Sequence, residues 1–119
     1  MTLGIFAVQQ NSGPENTVRR FHEAVLTNNA RGVQSLLIQP LGDPVSQTLI
    51  QRVQALAQLR AQMNVTRTYR EQNRSIVDVQ YTLGDGQVVT MLWVTQLDRS
   101  LWKVNAVDTM AIIEKMMGP

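Results

Sequence analysis

His22 is the one histidine in 119 residues, and a carboxylate that oriented its ring would make it a general base. Asp108 is the carboxylate that could do so across a pocket. The competing reading of His22, which sits beside Phe21 on the flank of an apolar stripe, is a boundary residue with a satisfied ring. Aromatic side chains offer a second chemistry. Tyr69, Tyr81, Trp93 and Trp102 fall in strand-like segments, where rings with a polar tip either suit a flat apolar ligand or simply fill a core. Arg60, Arg67, Arg70 and Arg74 crowd one stretch and could fork around a carboxylate or phosphate. Arg67 and Arg70 have opposite parity on a strand, however, which favours a solvated edge.

Several chemistries are excluded. The chain has no cysteine, so disulfides, thiolate nucleophiles and cysteine-ligated zinc or iron–sulfur centres are ruled out. With one histidine and no close pair of carboxylates, no metal site is expected, and no residue pattern calls for a cofactor. Gly84-Asp85-Gly86 is not a phosphate loop, because it joins two strands and no helix follows. The net charge is +2, with nine Arg and two Lys scattered among acidic residues, too diffuse for a nucleic-acid surface. No apolar run is long enough for a membrane span. Met1 to Gln9 lacks a positively charged start, so the expectation is a cytoplasmic protein if Met1 is the natural start. A secreted or periplasmic location stays open if a signal peptide has been removed.

These residues need elements to hold them. Hydrophobic content of 44% in 119 residues is enough for one core, and the expected organisation is an N-terminal extension over 1–13 and a single domain over 14–119. Ser12-Gly13-Pro14-Glu15 has capping-box spacing with a proline in the first turn, and Val18, Phe21, Val25 and Leu26 follow at helical spacing. Asn28 and Asn29 end that helix and start a shorter one carrying Val33, Leu36 and Leu37. Asp43-Pro44 opens a third helix, predicted to run to about Gln62, with Gln47, Gln51, Arg52, Gln58 and Arg60 as its solvated face.

The period then changes to two. Val65 to Glu71 reads as a polar edge strand, and in Ile76 to Leu83 the odd positions are apolar. Gly84-Asp85-Gly86 turns the chain into Val88 to Val94, which is apolar on both parities. A strand over Leu101 to Asp108 follows, with Trp102, Val104 and Ala106 alternating with polar residues. Thr109 to Met117 reads as a short helix plugging the core, or as a methionine-rich docking tail. The predicted fold class is α+β, three N-terminal helices on a curved antiparallel sheet of about four strands.

Three helices followed by a meander of long strands resembles the nuclear-transport-factor-2-like superfamily, which includes SnoaL-like and ketosteroid-isomerase-like proteins with a cystatin-like cone. The stretch Thr17-Val18-Arg19-Arg20-Phe21-His22-Glu23-Ala24-Val25-Leu26-Thr27-Asn28-Asn29, continuing to Leu37, looks like that group's helix-turn-helix opening. The resemblance covers residues from about 14 to 109 and implies a pocket between the first helix and the sheet, with Phe21, Tyr81, Trp93 and Trp102 as candidate ligand-binding residues. Ketosteroid-isomerase-like enzymes hold an oxyanion with a tyrosine on the first helix and a protonated aspartate on a strand, beside a carboxylate base. Here the tyrosine position falls on Phe21 and the strand aspartate falls near Trp93. Asp43 lies where the base would be sought, and Asp-Pro at a helix start is more simply an N-cap.

Three functions are therefore expected to compete. The favoured one is a non-catalytic domain that binds a small apolar molecule or keeps an inherited pocket, and forms a homodimer through its sheet, because Val88 to Val94 needs cover on both faces. The second is an isomerase, dehydratase or hydrolase using His22 and Asp108 as acid and base. The third is a protein-interaction module with a filled core.

Overall fold

A computed structural model describes residues 13–117 of the chain. Its order is α1 (Pro14–Leu26), α2 (Ala30–Ser35), α3 (Pro44–Gln58), β1 (Gln62–Glu71), β2 (Arg74–Thr82), β3 (Val88–Asp98), β4 (Leu101–Val104) and α4 (Ala106–Met117). The strands form one antiparallel sheet in the order β1-β2-β3-β4. The sheet is a meander, so each strand pairs with its chain neighbour and the helices cover its inner face.

Helix α1 begins at Pro14 with Gly13 as its N-cap, and no side chain caps it. Ser12, the expected cap, lies outside the described residues. At its other end Asn28 takes a left-handed φ of 57°, and the amides of Asn28 and Asn29 donate to Val25 and Ala24. This is a Schellman closure with asparagine where glycine is commonest. Asn29 then caps α2 by accepting from the Gly32 amide, so the paired asparagines do both jobs.

Helix α3 stops at Gln58, four residues short of the predicted end, and β1 begins at Gln62 rather than Val65. Arg60 adopts φ 58°, while Arg60 and Ala61 donate to Ala57 and Leu56. The same closure is used again, here without a glycine or asparagine to mark it.

On β2 the odd residues Ser75, Val77, Val79 and Tyr81 are buried, whereas the even ones face outward. The core between this inner face and the helices includes Val18, Phe21, Val25, Leu49, Val53, Met91, Trp93 and Ile113. The turn after β2 closes through Gly86 at φ 90°, whose amide donates to Leu83.

The predicted strand over Leu101 to Asp108 is corrected: β4 ends at Val104 and a helix starts at Ala106. Asn105 accounts for this switch. Its Oδ1 accepts from the Asp108 amide at 3.0 Å and from Gln39 Nε2 at 3.0 Å, and its Nδ2 donates to Gln96 and Asp108. Val104 is held on its other side by Leu36 and Ile38, in a parallel bridge centred on Leu37. Asn105→Ala removes the helix cap and strips Gln39 and Gln96 of a partner. We expect it to cost about 1–2 kcal/mol in urea denaturation. A loss within about 0.3 kcal/mol of zero would show that Asn105 does not hold the switch.

Helix α4 also resolves how β3 is covered. Only Thr95 to Asp98 of β3 pair with β4, and α4 packs against the strand next to them. The Val94 amide donates to Thr109 Oγ1 at 2.9 Å, and the Asn105 amide donates to the Val94 carbonyl at 2.9 Å. Val94 points outward by parity and is nonetheless fully buried, while Val88 on the same face stays 57% exposed. Part of the second face is thus covered from within the chain.

Candidate functional site

Between α1 and the sheet the chain places four of its candidate residues against one another. Phe21 and His22 come from α1, Tyr81 from β2 and Trp93 from β3. Val77 pairs with Trp93 and Tyr81 with Val89, so Tyr81 and Trp93 project from neighbouring strands toward the helices. The Phe21 and Trp93 rings meet edge-on with centroids 5.5 Å apart, and the His22 ring lies 4.7 Å from Trp93 and 5.7 Å from Tyr81. All four side chains are buried.

Their polar atoms form a closed circuit. His22 Nδ1 lies 2.7 Å from the Val18 carbonyl, which can only accept, so Nδ1 carries the proton. His22 Nε2, 2.7 Å from the Tyr81 hydroxyl, therefore accepts from it. The Tyr81 oxygen in turn accepts from Trp93 Nε1–H at 2.9 Å. Protons run in one direction, from indole to phenol to imidazole to carbonyl, and each donor has an acceptor. Burial pushes the His22 pKa down to about 4, against a smaller upward pull from the Val18 hydrogen bond. Burial also pushes the Tyr81 hydroxyl well up, opposed in part by the Trp93 hydrogen bond. Both groups are held neutral, with nothing free to offer a substrate.

The other candidates stand apart from this cluster. Asp108 occupies the first turn of α4, where its Oδ2 accepts from Asn105 Nδ2 and pairs with Arg74 at 3.0 Å. No hydrogen bond joins it to His22. The Trp102 carbonyl accepts from Thr17 Oγ1 at 3.0 Å, and its ring lies 5.2 Å from the Arg70 guanidinium. Arg67 reaches the opposite face and donates to the Tyr69 hydroxyl at 2.9 Å. The two arginines thus diverge, as their parity requires. Asp43 caps α3 by accepting from the Val45 amide at 3.1 Å.

Sequence reasoning passed over one residue. Arg52, assigned above to a solvated helix face, instead lines a groove and is half-buried. The available signal was its spacing from Leu56, one turn along the same side of α3. Among the described residues no group of three or more His, Asp or Glu is arranged to hold a metal ion, and no helix is long and apolar enough to cross a membrane.

No protein-family model matches the chain, and no curated protein matches it. Solved structures do. One is described as a putative NTF2-like transpeptidase from Campylobacter jejuni; it is similar over 79% of this chain and 98% of its own, at 12% identity and a TM-score of 0.59. Another, an NTF2-like protein of unknown function from Cytophaga hutchinsonii, covers 78% of this chain and 87% of its own at 14% identity, with a TM-score of 0.47. The helices ahead of an antiparallel meander and the match over nearly the full length of the first structure give this chain the nuclear-transport-factor-2-like fold.

Proposed function

We propose that this chain is a non-catalytic domain that self-associates through the outer face of its sheet. The observation that carries the reading is the closed Phe21–His22–Tyr81–Trp93 cluster, which is buried between α1 and the sheet and uses its own hydrogen-bonding capacity internally. Catalysis requires a group free to exchange a proton or stabilise charge at a reacting atom, and His22 and Tyr81 are already committed.

Support for self-association comes from the opposite side of the sheet. Outward parity sets Tyr69 beside Ile76 and places Arg67 and Leu92 on either side of Asp78, with Gln80 and Thr90 between this group and Val88. Tyr69 is 49% exposed, and beside it a concavity of about 300 Å³ is bounded by Tyr69, Glu71, Arg74, Ser75 and Ile76. Asp78 Oδ1 is shielded from solvent and has no hydrogen-bond partner among the described residues. Tyrosine and arginine around an apolar centre are the residues enriched at protein interfaces. One patch meeting its own copy about a two-fold axis needs no second surface.

Light scattering coupled to size exclusion tests this directly. At micromolar concentration we expect twice the chain mass, falling to the single chain in a Tyr69→Glu/Val88→Glu double variant. Both positions are exposed, so the variant should keep its circular dichroism and melting temperature. A wild-type monomer under those conditions would overturn the reading.

A further inference from the structure

The groove beside Arg52 is separate from the filled cluster and from the outer sheet face, and its chemistry is specific. It encloses about 380 Å³ between α3, the first half of β3 and α4. Its apolar walls come from Leu56, Val89, Met91, Ile113 and Met116, and Arg52 brings the charged side chain. No acidic residue lines it. Among the described residues Arg52 Nε, shielded from solvent, has no hydrogen-bond partner, and its guanidinium forms no ion pair. The guanidinium is half-buried, with its Nε turned into the apolar groove, where an anionic group would supply the hydrogen-bond acceptor that the described residues do not.

We infer that this groove binds a small amphipathic monocarboxylate, an aliphatic or aryl acid whose carboxylate accepts from the Arg52 guanidinium while its apolar body lies along Met91, Ile113 and Met116. Charge complementarity selects this occupant. One guanidinium matches one carboxylate in a planar fork, whereas a phosphate or dianion would leave excess charge against apolar walls. The volume lies near the lower end of small-molecule sites, which fits a compact ligand. Methionine on two sides supplies walls that adapt to a chain or a ring. The site requires nothing of the self-association reading and stands if that reading fails.

Isothermal titration with decanoate, kept below the concentration at which it self-associates, tests the proposal. Methyl-resolved NMR on the same samples locates the binding. We expect saturable one-site binding, with shifts concentrated at Val89, Met91, Ile113 and Met116. Arg52→Gln, which keeps much of the side-chain bulk, should weaken decanoate at least tenfold, as loss of a charge-assisted hydrogen bond requires. 1-Decanol should bind the wild type at least tenfold more weakly than decanoate, and decyltrimethylammonium more weakly still. Leu56→Trp should fill the groove and abolish binding while the melting temperature of the free protein stays near that of the wild type. No saturable binding of decanoate would overturn the inference. So would equal affinity for the three probes, an unchanged affinity in Arg52→Gln, or shifts that map to the outer sheet face.

Discussion

Tyr81→Phe is expected to cost about 2–4 kcal/mol of folding stability, although it deletes a single oxygen. That oxygen serves two partners, since the Trp93 indole donates to it and its own proton goes to His22 Nε2. Without it, a buried N–H and a buried ring nitrogen are both left unsatisfied, each costing about 1–3 kcal/mol, with partial relief where the cluster relaxes. Urea denaturation followed by tryptophan fluorescence gives the value. The sharper readout is coupling: once Tyr81 is Phe, His22→Leu should cost less than it does in the wild type, because the ring nitrogen it removes is already orphaned. Additive single and double variants would mean that the circuit does not act as a unit. A Tyr81→Phe cost below about 0.5 kcal/mol would mean that water reaches the site.

The second large effect is a dependence of stability on pH traced to one residue. His22 titrates at about 4 in the folded chain, below its ordinary 6.5, because burial disfavours the imidazolium. The unfolded chain therefore binds the proton more readily. The folded state keeps its full margin above pH 6.5 and loses it as the pH falls toward 4. Between about pH 7 and pH 5 the loss should reach about 2 kcal/mol, and most carboxylates titrate below that window. Denaturation midpoints measured across it should slope downward in the wild type. In His22→Gln, which cannot protonate there, the curve should be nearly flat, whatever that variant's absolute stability. Parallel slopes for the two proteins would remove His22 as the cause.

Much of the architecture could be read from residue order, for reasons visible in particular places. Alternation along β2 put Val77, Val79 and Tyr81 inward because a strand covered on one face has period two. Asn28-Asn29 and Gly84-Asp85-Gly86 marked ends and turns because these residues tolerate the backbone that such positions need. Where the chain used ordinary residues in the same roles, the boundary was hidden: Arg60 takes a left-handed conformation with nothing in its type to signal it. The start of α4 was misread because Trp102, Val104 and Ala106 are all buried, which alternation mimics even though Ala106 belongs to a helix. Asn105-Ala106-Val107-Asp108 carried the cap spacing that would have separated the two readings.

The candidate site was legible in its members and not in their connections. Phe21, His22, Tyr81 and Trp93 could each be named from position, but the Trp93 to Tyr81 to His22 hydrogen bonds depend on ring depths that spacing does not fix. Arg52 shows the same limit. Helical periodicity places it one turn from Leu56, yet only the approach of α4 closes the third wall that turns a solvated arginine into the polar end of a groove.

The helix laid along β3 also determines how this protein would fail. Val88-Val89-Thr90-Met91-Leu92-Trp93-Val94 has no charge, no proline and no glycine, and its residue types favour extended pairing into cross-β stacks. Because β4 reaches only Thr95 to Asp98, α4 takes over that strand's edge at Val94, whose amide donates to Thr109 Oγ1. Fraying of α4 would bare an aggregation template well before the sheet itself came apart. The methionine-rich helix is in this sense a safety cover, and fibril formation in this protein should be governed by the opening of α4 rather than by global unfolding.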